Sequence, residues 1–325
     1  MVTVLAAVFG LFLAYANGAN DNFKGVATLF GSATADYRRA LLWATVTTFA
    51  GSLAAVTLAG SLVIAFTGKG LVPDALVGAP AFTLGVAAAA GITVMLATRF
   101  GLPISTTHAL TGALVGAGFA AVMTDINLGQ LWIGFFRPLM ISPVLAIAAA
   151  ALLYPLLHRT RKAIGVERET CLCVGETVVA TVPGAATPGQ GMALAAEREL
   201  SIDIDTVTAC EVRYHGKVMG VSAGKTLDAA HYLSAGAVSF ARGVNDTPKI
   251  AALFLTFGTV GVAPALAAVG AFIALGGLFS ARRVAETMSL KVTDLNAGQG
   301  LTANMTTTSI VLAASWFGLP VSTTH

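Results

Sequence analysis

The sequence predicts an all-α integral membrane fold made of two inverted repeats, with broken helices and re-entrant hairpins, and carrying a small soluble insert. Three observations predict it. Hydrophobic residues make up 56% of the chain and charged residues 11%, with a mean hydropathy of +0.79, whereas soluble domains carry about a quarter charged residues. Two polar phrases each occur twice in an apolar background: Gly18-Ala19-Asn20-Asp21 with Gly243-Val244-Asn245-Asp246, and Gly101-Leu-Pro-Ile-Ser-Thr-Thr-His108 with Gly318-Leu-Pro-Val-Ser-Thr-Thr-His325. The basic clusters, finally, fall on one side of any consistent threading of the apolar spans.

The elements follow in order. Val2–Ala16 and Phe23–Ala33 flank the polar Asn17–Asn22 and together suit one crossing with an unwound middle. Asp36, Arg38 and Arg39 form a charged loop, Ala40–Thr67 an uncharged span, and 68–80 a nearly neutral loop. Ala81–Thr98 and Ala109–Thr124 flank the first repeated phrase, either as two full crossings or as the arms of one re-entrant hairpin with that phrase at its tip; both return the chain to the same side. Gln130–Leu157 is a span bent by Pro138 and Pro143, closing on Arg159, Arg161 and Lys162. Residues 158–232 then change character. Charges crowd in, Pro183-Gly184 and Pro188-Gly189 mark turns, and Ser201–Val221 partly alternates, which reads as a small soluble insert with some β-strand.

Membrane character resumes with a second broken span, Leu233–Phe257, around Arg242–Lys249. Val262–Ala281 is an uninterrupted span, residues 282–294 form a charged loop, and Gly298–Trp316 leads into the second repeated phrase. The expected divisions are therefore 1–157, 158–232 and 233–325. Arg38/Arg39, Arg159/Arg161/Lys162 and Arg282/Arg283 share a side, so the insert is expected in the cytoplasm and the membrane is expected to be the plasma (inner) membrane. The first half starts outside and the second inside, the arrangement of inverted-repeat secondary transporters. A second hairpin arm and a closing span follow His108 but nothing follows His325; the expectation is a chain that continues past residue 325, its second repeat truncated here at the C-terminal end.

Asp246 follows Asp21 by 225 residues and His325 follows His108 by 217, so the halves match with a net gap of eight. An intramembrane aspartate is costly unless it binds something. Asn20, Asp21, Asn245 and Asp246 offer carboxylate, amide and carbonyl oxygens suited to a hard cation such as Na⁺; the plainer reading is an aspartate capping the next half-helix. Ser105-Thr106-Thr107 and Ser322-Thr323-Thr324 follow a proline at a helix start, where free N–H groups, hydroxyls and the helix dipole form an anion site. Plain capping is again the alternative. Aligning back from Phe100 and Phe317 sets Phe82 against Gln299 and Ala87 against Asn304; the second arm is more polar, and Gln299 is its candidate ion ligand. His108 and His325 suit a structural hydrogen bond or a proton relay. Cys171, Cys173 and Cys210 lack zinc spacing and are expected as reduced thiols.

The paired Gly-x-Asn-Asp and Gly-Leu-Pro-x-Ser-Thr-Thr-His phrases resemble those of the inorganic phosphate transporter (PiT) family. The likeness covers both membrane halves but not the insert. It implies secondary active transport of inorganic phosphate by alternating access, coupled to Na⁺ or H⁺, with Asn20, Asp21, Asn245 and Asp246 coordinating ion or substrate. Ser105, Thr106, Thr107, Ser322, Thr323 and Thr324 would line the phosphate site. The chain departs from the family's Gly-Ala-Asn-Asp-Val-Ala-Asn-Ala, placing Lys24 and Lys249 where asparagine is usual. These lysines pair with the aspartates, face the anion as substrate ligands, or snorkel to an interface.

A sulfate permease on the same scaffold and a non-transporting membrane sensor are the alternatives. No His-Glu-x-x-His, Gly-x-Ser-x-Gly or nucleotide-binding loop occurs, so an enzyme is not expected. Nor is a cofactor beyond the coupling ion. The expected partners are inorganic phosphate, the lipid bilayer and, as an assembly to test, a second copy in a homodimer; a net charge of +3 is too small to suggest nucleic acid.

Overall fold

A computed structural model describes residues 1–123, 125–183, 194–214, 219–256, 261–292 and 294–324. Gly184, Pro188-Gly189 and His325, singled out above, lie outside them. The chain forms two compact units, Met1–Tyr154 with His231–His325, and Pro155–Ala230.

Val2–Ala16 holds neither charge nor proline, and helix α1 runs Val2–Asp21. The sequence predicts an unwound Asn17–Asn22, but the helix continues to Asp21; the break spans Asn22 and Phe23 and a 3₁₀ turn over Lys24–Val26, before α2 at Ala27–Gly31. The polar side chains of α1 reach partners on other segments, so the backbone has no need to expose its own groups. The second copy departs further from expectation. Helix α10, Ala223–Leu255, is continuous with Pro248 inside it; proline lacks the N–H that would reach the carbonyl of Val244, so that single bond is lost rather than the helix.

Helix α3 (Tyr37–Leu58) starts at Asp36, whose carboxylate accepts the Arg39 N–H, and α4 (Gly60–Phe66) follows it. The first hairpin is α5 (Pro80–Arg99), with proline at its first position, and α6 (Thr106–Val122), capped by Ser105. Helices α7 (Leu128–Leu131) and α8 (Arg137–Ile164) are joined by a π-turn over Trp132–Phe136. That turn sits just ahead of Pro138 and absorbs the missing donor, so the expected bend appears as a local widening. Helix α11 spans Val262–Ser280. The charged stretch after it is helical rather than a loop, with α12 at Arg282–Glu286 and a π-turn over Thr287–Lys291. Helix α13 (Ala297–Trp316) opens with a capping box between Asn296 and Gln299.

Among the described residues, five stretches are long and apolar enough to cross a membrane: Val2–Gly31, Tyr37–Leu58, Pro80–Arg99, Leu128–Ile164 and Val262–Ser280. The Leu128–Ile164 window is only 11% buried; Ile141, Val144, Ile147 and Leu152 stand exposed along it, a surface that lipid rather than water must cover.

The repeats are visible in the packing. A Cβ at Gly18 would collide with the Ile273 carbonyl, and one at Gly276 with the Tyr15 carbonyl, so α1 and α11 touch backbone to backbone. Gly243 meets the Thr48 carbonyl and Gly51 the Phe240 carbonyl, so α10 and α3 do the same. Gly18 and Gly243 are 225 residues apart, and so are Gly51 and Gly276. The two crossings are therefore equivalent, each half crossing the other, as a pseudo-twofold axis requires. The hairpin tips match too: Gly101 and Gly318 have φ of 70° and 69°, a region costly for side chains other than glycine.

In the second unit, strands β1 (Thr170–Pro183), β2 (Leu194–Thr206) and β3 (Met219–Ser222) form an antiparallel sheet of order β2-β1-β3, with α9 at Val207–Arg213. Cys173 on β1 is disulfide-bonded to Cys210 on α9, their Cα atoms 6.2 Å apart, and Cys171 is free and buried beside them. This corrects the expectation of three reduced thiols. Linear spacing could not show that α9 folds back over β1.

Candidate functional site

The two repeated phrases meet in the membrane unit. Asn20 on α1 donates to Thr98 Oγ1 and to the Leu102 carbonyl, both at 2.9 Å, and accepts from the Ile104 N–H at 3.1 Å. Its counterpart Asn245 donates to the Val321 carbonyl at 3.2 Å and accepts from Ser315 Oγ at 3.2 Å. Thr98 and Ser315 are themselves equivalent positions. Each asparagine thus clamps the hairpin tip of its own half, a role that a satisfied buried amide performs well.

The aspartates are held by their own sets. Asp21 Oδ2 accepts from Asn17 Nδ2 at 2.9 Å and from Thr106 Oγ1 at 2.8 Å. Lys24, three residues on, pairs with Asp21 Oδ1 at 2.5 Å and donates to the Ile104 carbonyl at 2.6 Å and Thr324 Oγ1 at 2.8 Å. Lys249 pairs with Asp246 Oδ1 at 3.2 Å and donates to the Val321 carbonyl at 3.0 Å and Thr107 Oγ1 at 2.6 Å. The arrangement is twofold: each ammonium takes its own aspartate, the tip carbonyl of its own half and a threonine hydroxyl from the other. Of the three readings open in the sequence, these distances describe pairing with the aspartates. Both lysines are buried, so snorkelling is excluded.

The remaining candidates divide. Thr107 donates to the Val321 carbonyl at 3.1 Å and Thr324 to the Ile104 carbonyl at 3.3 Å, which ties the two tips together. Ser105 accepts from the His108 N–H and Ser322 from the Thr324 N–H, both acting as local caps. Thr323 is half-buried and His108 exposed. Gln299 does not join the set. Its side chain accepts from the Asn296 N–H at 3.0 Å in the capping box that starts α13, the end away from the tip. Among the buried polar residues of that arm, Asn304 is hydrogen-bonded to Thr28 and Ser234, and Ser315 to Asn245.

Sequence reasoning missed Arg242. It is 1% exposed, its Nη2 lies 3.4 Å from Asn22 Oδ1, and its Nε and Nη1 have no hydrogen-bond partner. Arg242 follows Asn17 by 225 residues, so comparing the flanks of the repeated phrases, and not only the phrases, would have exposed it. Apart from His231, the buried ionisable residues among the described residues of the membrane unit are Lys24, Lys249, Arg242, Asp21 and Asp246. Three cations face two carboxylates. The buried set carries one net positive charge, with two unused guanidinium donors and one free carboxylate oxygen, Asp246 Oδ2.

Inverted halves, hairpins meeting tip to tip and a buried polar set between them define a helical secondary transporter of the membrane, not an enzyme. The profile of the phosphate transporter family matches residues 17–325, and the chain belongs to that family. A Pyrococcus abyssi protein named as a phosphate permease is 28% identical over 355 residues, covering 99% of this chain and 85% of that protein. The inorganic phosphate transporter 2-1, chloroplastic, of Arabidopsis thaliana is 27% identical, over 100% of this chain and 64% of that protein. A solved structure described as the sodium-dependent phosphate transporter superposes with a TM-score of 0.73 at 21% identity, covering 100% of this chain and 86% of that one. At that identity it speaks for the fold.

Proposed function

We propose that the chain carries inorganic phosphate across the plasma membrane by alternating access, driven by a Na⁺ or H⁺ gradient, with the soluble insert on the cytoplasmic side. One observation carries the anion reading: the buried ionisable set has a formal net positive charge, and its Arg242, bonded to Asn22, has two unpaired donors. An unpaired buried guanidinium is costly, and a tetrahedral oxyanion supplies the paired acceptors its fork requires. The start of α6 contributes N–H groups and a favourable dipole to the same anion. Family membership and the names of the relatives support phosphate as that anion.

Uptake of radiolabelled phosphate by the full chain in proteoliposomes tests this. Saturable uptake that excess unlabelled phosphate suppresses and equimolar sulfate leaves in place is the expected result. Competition by sulfate at least as strong as by phosphate would move the substrate to sulfate. Saturable binding with no flux or counterflow would make the chain a sensor.

A further inference from the structure

We propose that Lys24 and Lys249 are tethered cations that occupy the places a coupling Na⁺ would take, so that the chain binds its anion without sodium. The inference goes beyond the transport reading, and only its uptake measurement rests on that reading. Each ammonium lies within 2.5–3.2 Å of one carboxylate oxygen, one backbone carbonyl oxygen and one threonine hydroxyl. Carboxylate, unwound carbonyl and hydroxyl oxygens are the donor classes that hold alkali cations in the broken helices of secondary transporters. The two carbonyls, Ile104 and Val321, belong to the non-helical hairpin tips, the kind of backbone tolerated at membrane depth only where its groups are satisfied. Here lysine satisfies them.

The charge balance points the same way. Asp21 and Asp246 are already matched one to one by Lys24 and Lys249. Adding Na⁺ at both carboxylates would raise the formal buried charge from one to three, whereas a charge of one already balances a monobasic phosphate, and it would force each ammonium away from its oxygens. The lysines also stand in sequence where their side chains can close back on the preceding aspartate, three residues apart in both halves. A chance surface pair would not repeat its partners across the pseudo-twofold axis.

The test uses the full chain and two probes. Equilibrium binding of radiolabelled Na⁺ to the purified protein is expected to show no saturable component. Phosphate uptake in proteoliposomes is expected to change less than twofold when choline replaces Na⁺. The double variant Lys24→Asn/Lys249→Asn frees both carboxylates; it is expected to gain saturable Na⁺ binding and a tenfold or greater stimulation of phosphate uptake by Na⁺. Saturable Na⁺ binding by the unaltered chain would overturn the proposal, whether or not the protein proves to move phosphate. So would a folded double variant that gains no Na⁺ binding, since the lysines would then be plain structural pairs. If the double variant does not fold, the Na⁺-binding measurement on the unaltered chain decides alone.

Discussion

Arg242 and Asn17 occupy matched places in the two repeats yet differ by a full charge, and this difference gives the buried site its sign. Arg242→Gln is expected to weaken phosphate binding about 10- to 100-fold, because a charge-assisted hydrogen bond contributes about 1.5–3 kcal/mol and a tenfold change is about 1.4 kcal/mol. Arg242→Lys, which keeps the charge but loses the planar fork, is expected to recover only part of this. Calorimetric titration of the purified variants with phosphate measures both. Asp21→Asn would leave Lys24 buried without its carboxylate, at a cost of about 3–5 kcal/mol. Adding Lys24→Met removes the orphan charge and should restore more than half of the loss, read as the shift in thermal unfolding in detergent. The aspartates, asparagines and hydroxyls of this site were legible because they recur at a fixed offset. Arg242 was not, because a repeat search looks for sameness and its function lies in a difference. Gln299 was misplaced for a related reason: a polar residue on an inward arm and a capping residue look alike until the helix start is known.

At the level of elements, the spans, the hairpins and the insert were readable from apolar runs, and their interruptions were not. Helix α1 continues through Asn17–Asp21 and α10 through Pro248, since local sequence cannot show that a distant segment satisfies a polar side chain or that a single missing donor is tolerable. The helix crossings make a prediction of their own. Gly18→Leu or Gly276→Leu inserts a side chain where backbone already meets backbone. Either is expected to abolish recovery of monodisperse protein, since overpacking costs about 1–3 kcal/mol even where neighbours can yield, and carbonyl groups cannot. Gly112→Ala and Gly116→Ala, on α6 with open space around them, are expected to leave recovery unchanged. Size-exclusion profiles of the variants are the measurement.

For the whole molecule, the inverted sense of the halves predicts which residues share an aqueous side. Arg38→Cys and Arg282→Cys should react with an impermeant maleimide from one face of the membrane and Lys69→Cys from the other; all three positions are exposed. The native cysteines, each buried, should stay silent in intact protein. Labelling of Arg38→Cys and Lys69→Cys from the same face would contradict the threading. The pairing of the halves has a further meaning. Each lysine draws its hydroxyl from the opposite half, so neither repeat can complete its own set. A half-length ancestor inserted in both orientations would have completed it by associating with itself, but two identical chains must carry the same residue at any given position. Arginine at one site and asparagine at its mate require two halves of different sequence in one chain. A single uncompensated charge in the buried set is thus a property that no antiparallel pair of identical chains can possess, since every charge in such a pair comes twice.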